Sequence, residues 1–384
     1  MAPFASHPNR AAPANALTAR LSDAIAVARV LCIFGLVYAH VWTGRDGGHL
    51  AAMSTTPQGV LRWILMETFG RSAVPLLSLI SGWLVAGSSR ARSYGAFIGN
   101  KIQTVLVPML LWNAISIVLV SGSAWLGYIK APIPQNAGWL LNEIFCALRP
   151  NDINVQTAFL RDLFLCMTVA PWLLRLRNGW LLVILAAAAT WVIGGWNFPL
   201  LLRPQILLFF LLGILVRREQ LAIRATSLPL AFALVPFVLL MPLKIWLSVN
   251  NLYLDTHWFQ VLDIITRLAT GFVFWRVAWR LAAQPAAFRR IERYSFLMFC
   301  AHVIMMWLGG PLFTRLTGPL GSPAYPVLLV LMPLLVLGAT VVLGNLLVAV
   351  SPAAAEILSG GRLRRVPGPR SQPTQAGHSS LHGK

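Results

Sequence analysis

An all-α, polytopic membrane fold of about ten transmembrane helices, with both termini in the cytoplasm, is the architecture this chain encodes. Three observations lead there. Hydrophobic residues make up 57% of the 384 and charged residues only 11%, with a mean hydropathy of +0.70, a balance no water-soluble domain sustains. Apolar runs near the roughly 20 residues that cross a bilayer recur along the whole chain. Finally, the 31 Lys and Arg, set against 11 Asp and Glu, lie mostly between those runs and gather in alternate loops, the pattern that orients membrane proteins.

In order, residues 1–22 are Ala/Pro-rich and polar and read as a disordered cytoplasmic N-terminus. The membrane domain takes residues 23–350. Its first span, 23–43, lacks a small-residue cleavage site and reads as an uncleaved helix rather than a secretory signal. An interfacial approach at 59–69 leads into a second span at 70–88, and a third follows at 103–122. The longest loop, 123–156, is placed outside. Spans at 157–174, 179–196 and 199–216 come next, the last two joined by the tight Gly194-Gly195-Trp196-Asn197 turn. Those at 227–247, 259–281, 294–314 and 325–350 complete the set. Residues 351–384 read as a disordered, basic cytoplasmic tail. Arg90, Arg92 and Lys101, Arg217 and Arg218, and Arg289, Arg290 and Arg293 fall on the side of the N-terminus, whereas Arg45, Lys130 and Arg149 are the few on the other. The location this implies is a bacterial inner membrane, crossed many times.

Other partners are excluded by what the chain lacks. A net charge of +20 would suggest nucleic acid in a soluble protein, but no recognition motif or aromatic-basic groove accompanies it, and anionic lipid headgroups explain it better. Cys32, Cys146, Cys166 and Cys300 show neither disulfide nor metal spacing. His378 and His382, four apart in the tail, are too isolated to define a metal site. No P-loop, Gly-x-Ser-x-Gly elbow, His-Glu-x-x-His, dinucleotide fingerprint or His-x4-Asp box is present. No bound cofactor or metal is expected.

Chemistry concentrates in ionisable residues inside the spans, where a charge costs roughly 2.5–3.5 kcal/mol. Arg29 and His40 share the first span with an Arg-x10-His spacing. In a continuous helix such a spacing closes to within about 20° of whole turns and puts both on one face, roughly 16 Å apart. His40 suits a general base taking a proton from a hydroxyl, or an interfacial histidine beside Trp42; Arg29 suits an anion site, or a side chain snorkelling to the headgroups. Arg161 and Asp162 form a dyad expected near the depth of His40, either orienting it or balancing each other at a helix start. Arg71, Ser81, Arg203, Asp263 and Arg267 are candidates for a cavity in the outer half, with Asp263 and Arg267 spaced to pair. His302, near the middle of the ninth span, is either a second catalytic histidine or a buried hydrogen-bonding one.

These residues resemble the acyltransferase-3 family of integral-membrane O-acyltransferases, which includes exopolysaccharide and glycan acetyl- and succinyltransferases. The resemblance rests on Arg29-x10-His40, on Gly70 through Trp83 with its Ser-Gly-aromatic ending, and on Lys101 through Val107-Pro108 and Trp112. Phe159 through Leu163, and Tyr294 through Leu297 with His302, complete it, and it covers most of residues 22–350. It implies ten spans and transfer of an acyl group from cytoplasmic acyl-CoA, either acetyl-CoA or succinyl-CoA, to a hydroxyl of an exported polysaccharide, a lipid-linked glycan or another periplasmic glycan, hence O-acetylation or succinylation of a polysaccharide. His40 would then be the base and Arg29 a partner of the donor. The family's Arg-x-x-Arg before the third-span proline is missing, since Gln103, Thr104 and Val105 follow Lys101 and Ile102, so Arg90, Arg92 and Lys101 are assigned the donor phosphates. The periplasmic-side arginines suit a dicarboxylic acyl group or an anionic sugar. An ion-coupled transporter of a glycan, lipid-linked sugar or small anion is the rival reading; it lacks the internal repeat and paired broken helices expected of that class. Oligomeric state leaves no trace in the sequence.

Overall fold

The structure, a computed structural model, describes residues 11–196, 200–250, 252 and 257–363, and all regular structure in them is helical. Helix α1 runs Ala11–Tyr38, and two long helices follow, α2 (Pro57–Ala86) and α3 (Tyr94–Trp125). A short α4 (Ala137–Phe145) stands in the long loop before α5 (Thr157–Leu173), α6 (Asn178–Gly194) and α7 (Gln205–Arg218). Then come α8 (Ala231–Val249), α9 (His257–Leu281), α10 (Pro285–Thr317), α11 (Tyr325–Val350) and α12 (Pro352–Leu358). Each apolar run read from the sequence falls on one of these helices. Six of them, the Ala16–Tyr38 part of α1 with α2, α3, α8, α10 and α11, are long and apolar enough to cross a membrane. Helices α5, α6 and α7 are shorter, and α9 is interrupted by Asp263, Arg267, Arg276 and Arg280.

The outside of the bundle is coated with apolar side chains such as Leu239, Val327, Leu334 and Val350, a surface suited to lipid and not to water. This is a multi-pass membrane protein. Its axis is α1, where Ala24, Val27, Ala28, Cys32 and Val37 have no exposed surface at all; α2, α9, α10 and α11 pack around it. Whatever α1 carries is thereby delivered to the middle of the fold.

Lipid offers helices no hydrophobic drive to associate, so close van der Waals approach must hold them together, and small residues permit it. The α2–α7 contact is the extreme case. A Cβ on Gly82 would lie 2.0 Å from the carbonyl oxygen of Phe210, and one on Gly213 would lie 2.0 Å from that of Leu79. Each glycine admits the backbone of the other helix. Three π turns, Met66–Gly70 in α2 and Ile102–Leu106 and Ile117–Ser121 in α3, interrupt the long helices; such turns shift the register of the side chains beyond them and favour functional sites. The 59–69 approach is continuous with the second span through the first of these turns.

Three boundaries differ from the sequence reading. Helix α1 starts at Ala11, so the segment taken as disordered to residue 22 is helical over its described part. It also ends at Tyr38, short of residue 43, and its last turn tightens as the amides of Ala39 and His40 donate to Leu36 and Val37, three residues back, at 3.0 Å. The tail read as disordered from 351 is folded as far as Leu363, which is buried. Arg10, Asn197, Arg364, Arg365, Arg370, His378 and His382 lie outside the described residues.

Candidate functional site

Two polar centres lie along α1, one at Arg29 within the helix and one just beyond its C-terminal end. At the first, Arg29 reaches from α1 to α10 and donates to Glu292 Oε1 at 2.7 Å. The pair borders an internal cavity of about 320 Å³ whose polar lining includes Lys101, Ser81, Thr104 and Arg362. Ser81 and Thr104 turn their hydroxyl protons back to the carbonyls of Leu77 and Asn100 at 2.7 Å, which leaves their oxygen lone pairs toward the space. Ser88 and Ser295 add to the polar lining, and most of the remaining wall is apolar, with Leu77, Phe159, Leu163, Met167 and Phe299 among it. A larger groove, about 820 Å³, meets this cavity at Arg29, Leu84 and Glu292 and is edged by Arg217 and Arg289. Arg217 stacks 3.9 Å over Trp83, and Arg289 pairs with Asp23 at 2.5 Å.

Of the three residues assigned to the donor from sequence, only Lys101 lines the cavity. Arg90 is exposed and donates to Asn100 at 3.5 Å, and the Arg92 side chain is outside what the structure describes. Their loop stands off because the Ser89–Arg92 turn precedes α3 instead of continuing it. Arg362 and Glu292 were missed. Glu292 was recoverable in principle, as a lone acid among the basic residues 289–293; Arg362 sits in a segment whose composition signals disorder.

At the second centre, His40 stands two residues beyond the end of α1, in the tightened turn. The shared helix face expected for Arg29 and His40 does not describe it, since the chain has left the α-helix before His40 is reached. Its ring instead lies 5.4 Å, centroid to centroid, from that of His302 on α10. Close backbone contacts set this position, for the π turn of α2 presses Phe69 against Gly35 of α1 and Gly70 against Ala39 in the turn that follows. His302 is 1% exposed, and its Nδ1 lies 2.9 Å from the carbonyl of Phe299 and 3.1 Å from that of Met298. Carbonyls only accept, so Nδ1 carries the proton and the neutral ring leaves Nε2 as a bare lone pair. That Nε2 is buried without a hydrogen-bond partner, and so is Oε1 of Gln156, whose amide donates to the carbonyls of Phe299 and Cys300. Buried acceptors left open are rare and mark places where a donor is received.

Asp162 does not hold His40. Its Oδ1 accepts from Arg161 at 2.6 Å and from the Leu202 amide at 3.3 Å, and its Oδ2 accepts from the Arg203 amide at 2.7 Å. A carboxylate buried at the start of α5 is the nearest anchor for the loop entering α7, and that loop takes it. Arg161 closes the same loop, donating to Leu200 at 2.7 Å. Arg203 donates to Val155 at 3.3 Å and lies within electrostatic range of His40. Arg71, Asp263 and Arg267 are brought together, but in a closed network that also takes in Glu67 and Lys244, both fully buried. Gln205 and Ser248 add hydrogen bonds to its carboxylates. Its two carboxylates are shared among three cations, all of them paired, and the network braces α2, α8 and α9.

Among the described residues no three His, Cys, Asp or Glu are grouped to hold a metal. A family model described as an acyltransferase domain matches residues 22–348. The chain is similar to the succinoglycan biosynthesis protein ExoH of Rhizobium meliloti (strain 1021), with 26% identity over 94% of this chain and 99% of that protein. No solved structure matches it.

Proposed function

From the premise that this chain belongs to the acyltransferase-3 family, matched over residues 22–348, we propose that it carries an acetyl or succinyl group from cytoplasmic acyl-CoA to a hydroxyl of an exported polysaccharide or lipid-linked glycan. The observation that carries this reading is the relation between the two centres. Phe299 lines the cationic cavity, and its ring is 6.3 Å from that of His302, which in turn neighbours His40. One side chain separates a site for an anionic donor from a site for proton chemistry.

The reaction follows from that order. An acyl thioester reaching up from the Arg29 cavity meets the acceptor hydroxyl at His40. As the hydroxyl oxygen attacks the carbonyl carbon, His40 takes its proton; the carbon–sulfur bond then breaks, and the thiolate leaves toward the cavity as His40 gives up that proton to it, which restores the neutral base. His302, its Nδ1 proton held by two carbonyls, is a neutral ring next to His40 and adds no second positive charge there. Arg203 opposes it and suits the developing negative charge on the carbonyl oxygen or the carboxylate of a succinyl group. The likeness to a succinoglycan biosynthesis protein supports a polysaccharide acceptor. The reading takes the four shorter or charged helices as crossing with the other six, in a bacterial inner membrane with both termini cytoplasmic, so that the cavity at Arg29 faces the acyl-CoA pool.

Acyl ester on surface glycan, measured in a wild-type strain and in one carrying His40→Ala at equal protein level, tests the proposal. Ester present in the first and absent in the second is expected; equal ester in both removes His40 from the chemistry.

A further inference from the structure

The cavity at Arg29 holds more positive charge than its own walls neutralise. Arg29, Lys101 and Arg362 line it, and among its described lining residues Glu292 is the one carboxylate. Glu292 is bound to Arg29, so two of the three cations are left with neutral partners. Lys101 lies 5.4 Å over the Phe97 ring. Arg362 lies 4.3 Å over Phe296 and donates to the carbonyls of Ser359 at 3.2 Å and Gly360 at 3.4 Å. Burial, followed by the nearness of Arg29, pulls the Arg362 guanidinium down to about 10, still charged at neutral pH. Two uncompensated cations in one partly dry space call for a dianion.

Arg362 is placed there by a built turn. The Leu358 carbonyl accepts from Trp112 Nε1 at 3.0 Å, tying the end of α12 to α3. Gly360 takes φ 61°, a left-handed conformation, and a Cβ on it would stand 2.5 Å from the Thr104 carbonyl oxygen beside the α3 π turn. Ser359 Oγ accepts from the amides of Arg362 at 3.1 Å and Leu363 at 2.9 Å. A segment with this many fixed points is a wall, and its one long cation is turned inward.

We propose that the Ser359–Leu363 turn completes the donor site, and that Arg362 with Lys101 binds a phosphomonoester dianion of the donor. This rests on acyl-CoA being that donor, whose ribose carries such a group. The turn thereby supplies, from the far end of the chain, positive charge that the stretch after Lys101 lacks.

The test compares acetyl-CoA with 3′-dephospho-acetyl-CoA on the full-length protein in phosphatidylcholine nanodiscs, by calorimetry and by steady-state kinetics. Wild type should lose affinity about 10- to 100-fold when the monoester is removed, the scale of a lost hydrogen bond to a charged group. Arg362→Gln should weaken acetyl-CoA by a similar factor, raise KM and leave kcat within about twofold, and discriminate little between the two ligands, because the paired losses do not add. Arg362→Lys, which keeps the charge and the turn, should retain most of the discrimination and confirm that the effect is not misfolding. If Arg362→Gln discriminates as well as wild type, the subsite is elsewhere while the acyl-CoA reading stands. If wild type binds neither ligand, nor succinyl-CoA in the same assay, the donor reading falls and the subsite with it.

Discussion

His40→Ala separates chemistry from architecture, because the structure makes His40 cheap to remove. It lies past the end of α1, is half-buried, and its backbone amide stays bonded to Val37 whatever the side chain. Truncation should therefore cost stability by no more than about 1 kcal/mol. The kinetic effect should be far larger. A positioned base contributes about 10²- to 10⁴-fold, which at 1.36 kcal/mol per decade is about 3–5 kcal/mol of transition-state stabilisation. His302 is buried beside it with Nδ1 held by two carbonyls, so its open Nε2 cannot shift into the place of the lost imidazole and little compensation is expected. The assay is acyl ester formed per correctly inserted protein in proteoliposomes, with acetyl-CoA binding measured in parallel. Unchanged binding with turnover down at least a hundredfold is the expected result. Turnover within tenfold of wild type would refute the base assignment, and loss of insertion would show that His40 serves the fold.

Three further outcomes follow from contacts described above. Gly82→Ala should lower the thermal midpoint in detergent sharply, since its methyl meets the Phe210 carbonyl at 2.0 Å, whereas Gly271→Ala, whose nearest neighbour is Leu76 at 3.8 Å, should be neutral; equal midpoints would refute the α2–α7 contact. Asp162→Asn should cost about 1–3 kcal/mol of stability and leave the pH dependence of turnover unchanged, and a shifted pH profile would return Asp162 to the chemistry. Burial raises the Glu143 carboxyl above its ordinary 4.5, partly offset by the amides of Asp152 and Ile153. A raised acid stabilises the fold fully below its unfolded pKa and loses that contribution as pH climbs through the folded value. Opening of residues 142–153, corrected for intrinsic exchange, should therefore increase over that window in wild type and not in Glu143→Gln, and the reverse trend would refute the burial argument.

Apolar run length is additive along the chain and needs no knowledge of neighbours, which is why the helical membrane fold and the place of each helix were legible. Arg29 and His40 stood out for the same reason, as charges where lipid forbids them. What stayed hidden depends on partners far apart in sequence. The pairing of Lys244 with Glu67 exists only once α8 is packed on α2, and Asp162 looks catalytic until the 200–203 loop is seen to need its oxygens. His302 was visible, but its meeting with His40 depends on where α1 stops, and no glycine or proline marks that stop. The tail misled for a physical reason: Gly360 and Gly361 lower hydropathy and suggest disorder, while their left-handed φ values of 61° and 82° make the turn that turns Arg362 inward.

The α2–α7 contact bears on motion. Where two helices meet at backbone distance, each carbonyl occupies the notch left by the other's absent side chain, and a slide of one residue in either direction drives a side chain into that notch. The pair is a keel, fixed in translation and in roll. Any widening that admits a bulky glycan toward His40 is accordingly displaced onto segments joined through side chains alone, such as the 137–157 cap held by Gln156 and by Trp307 at 3.2 Å from the Ile153 carbonyl. Rigidity along the keel and compliance at the cap let one face of the bundle breathe without disturbing the distance between its two polar centres.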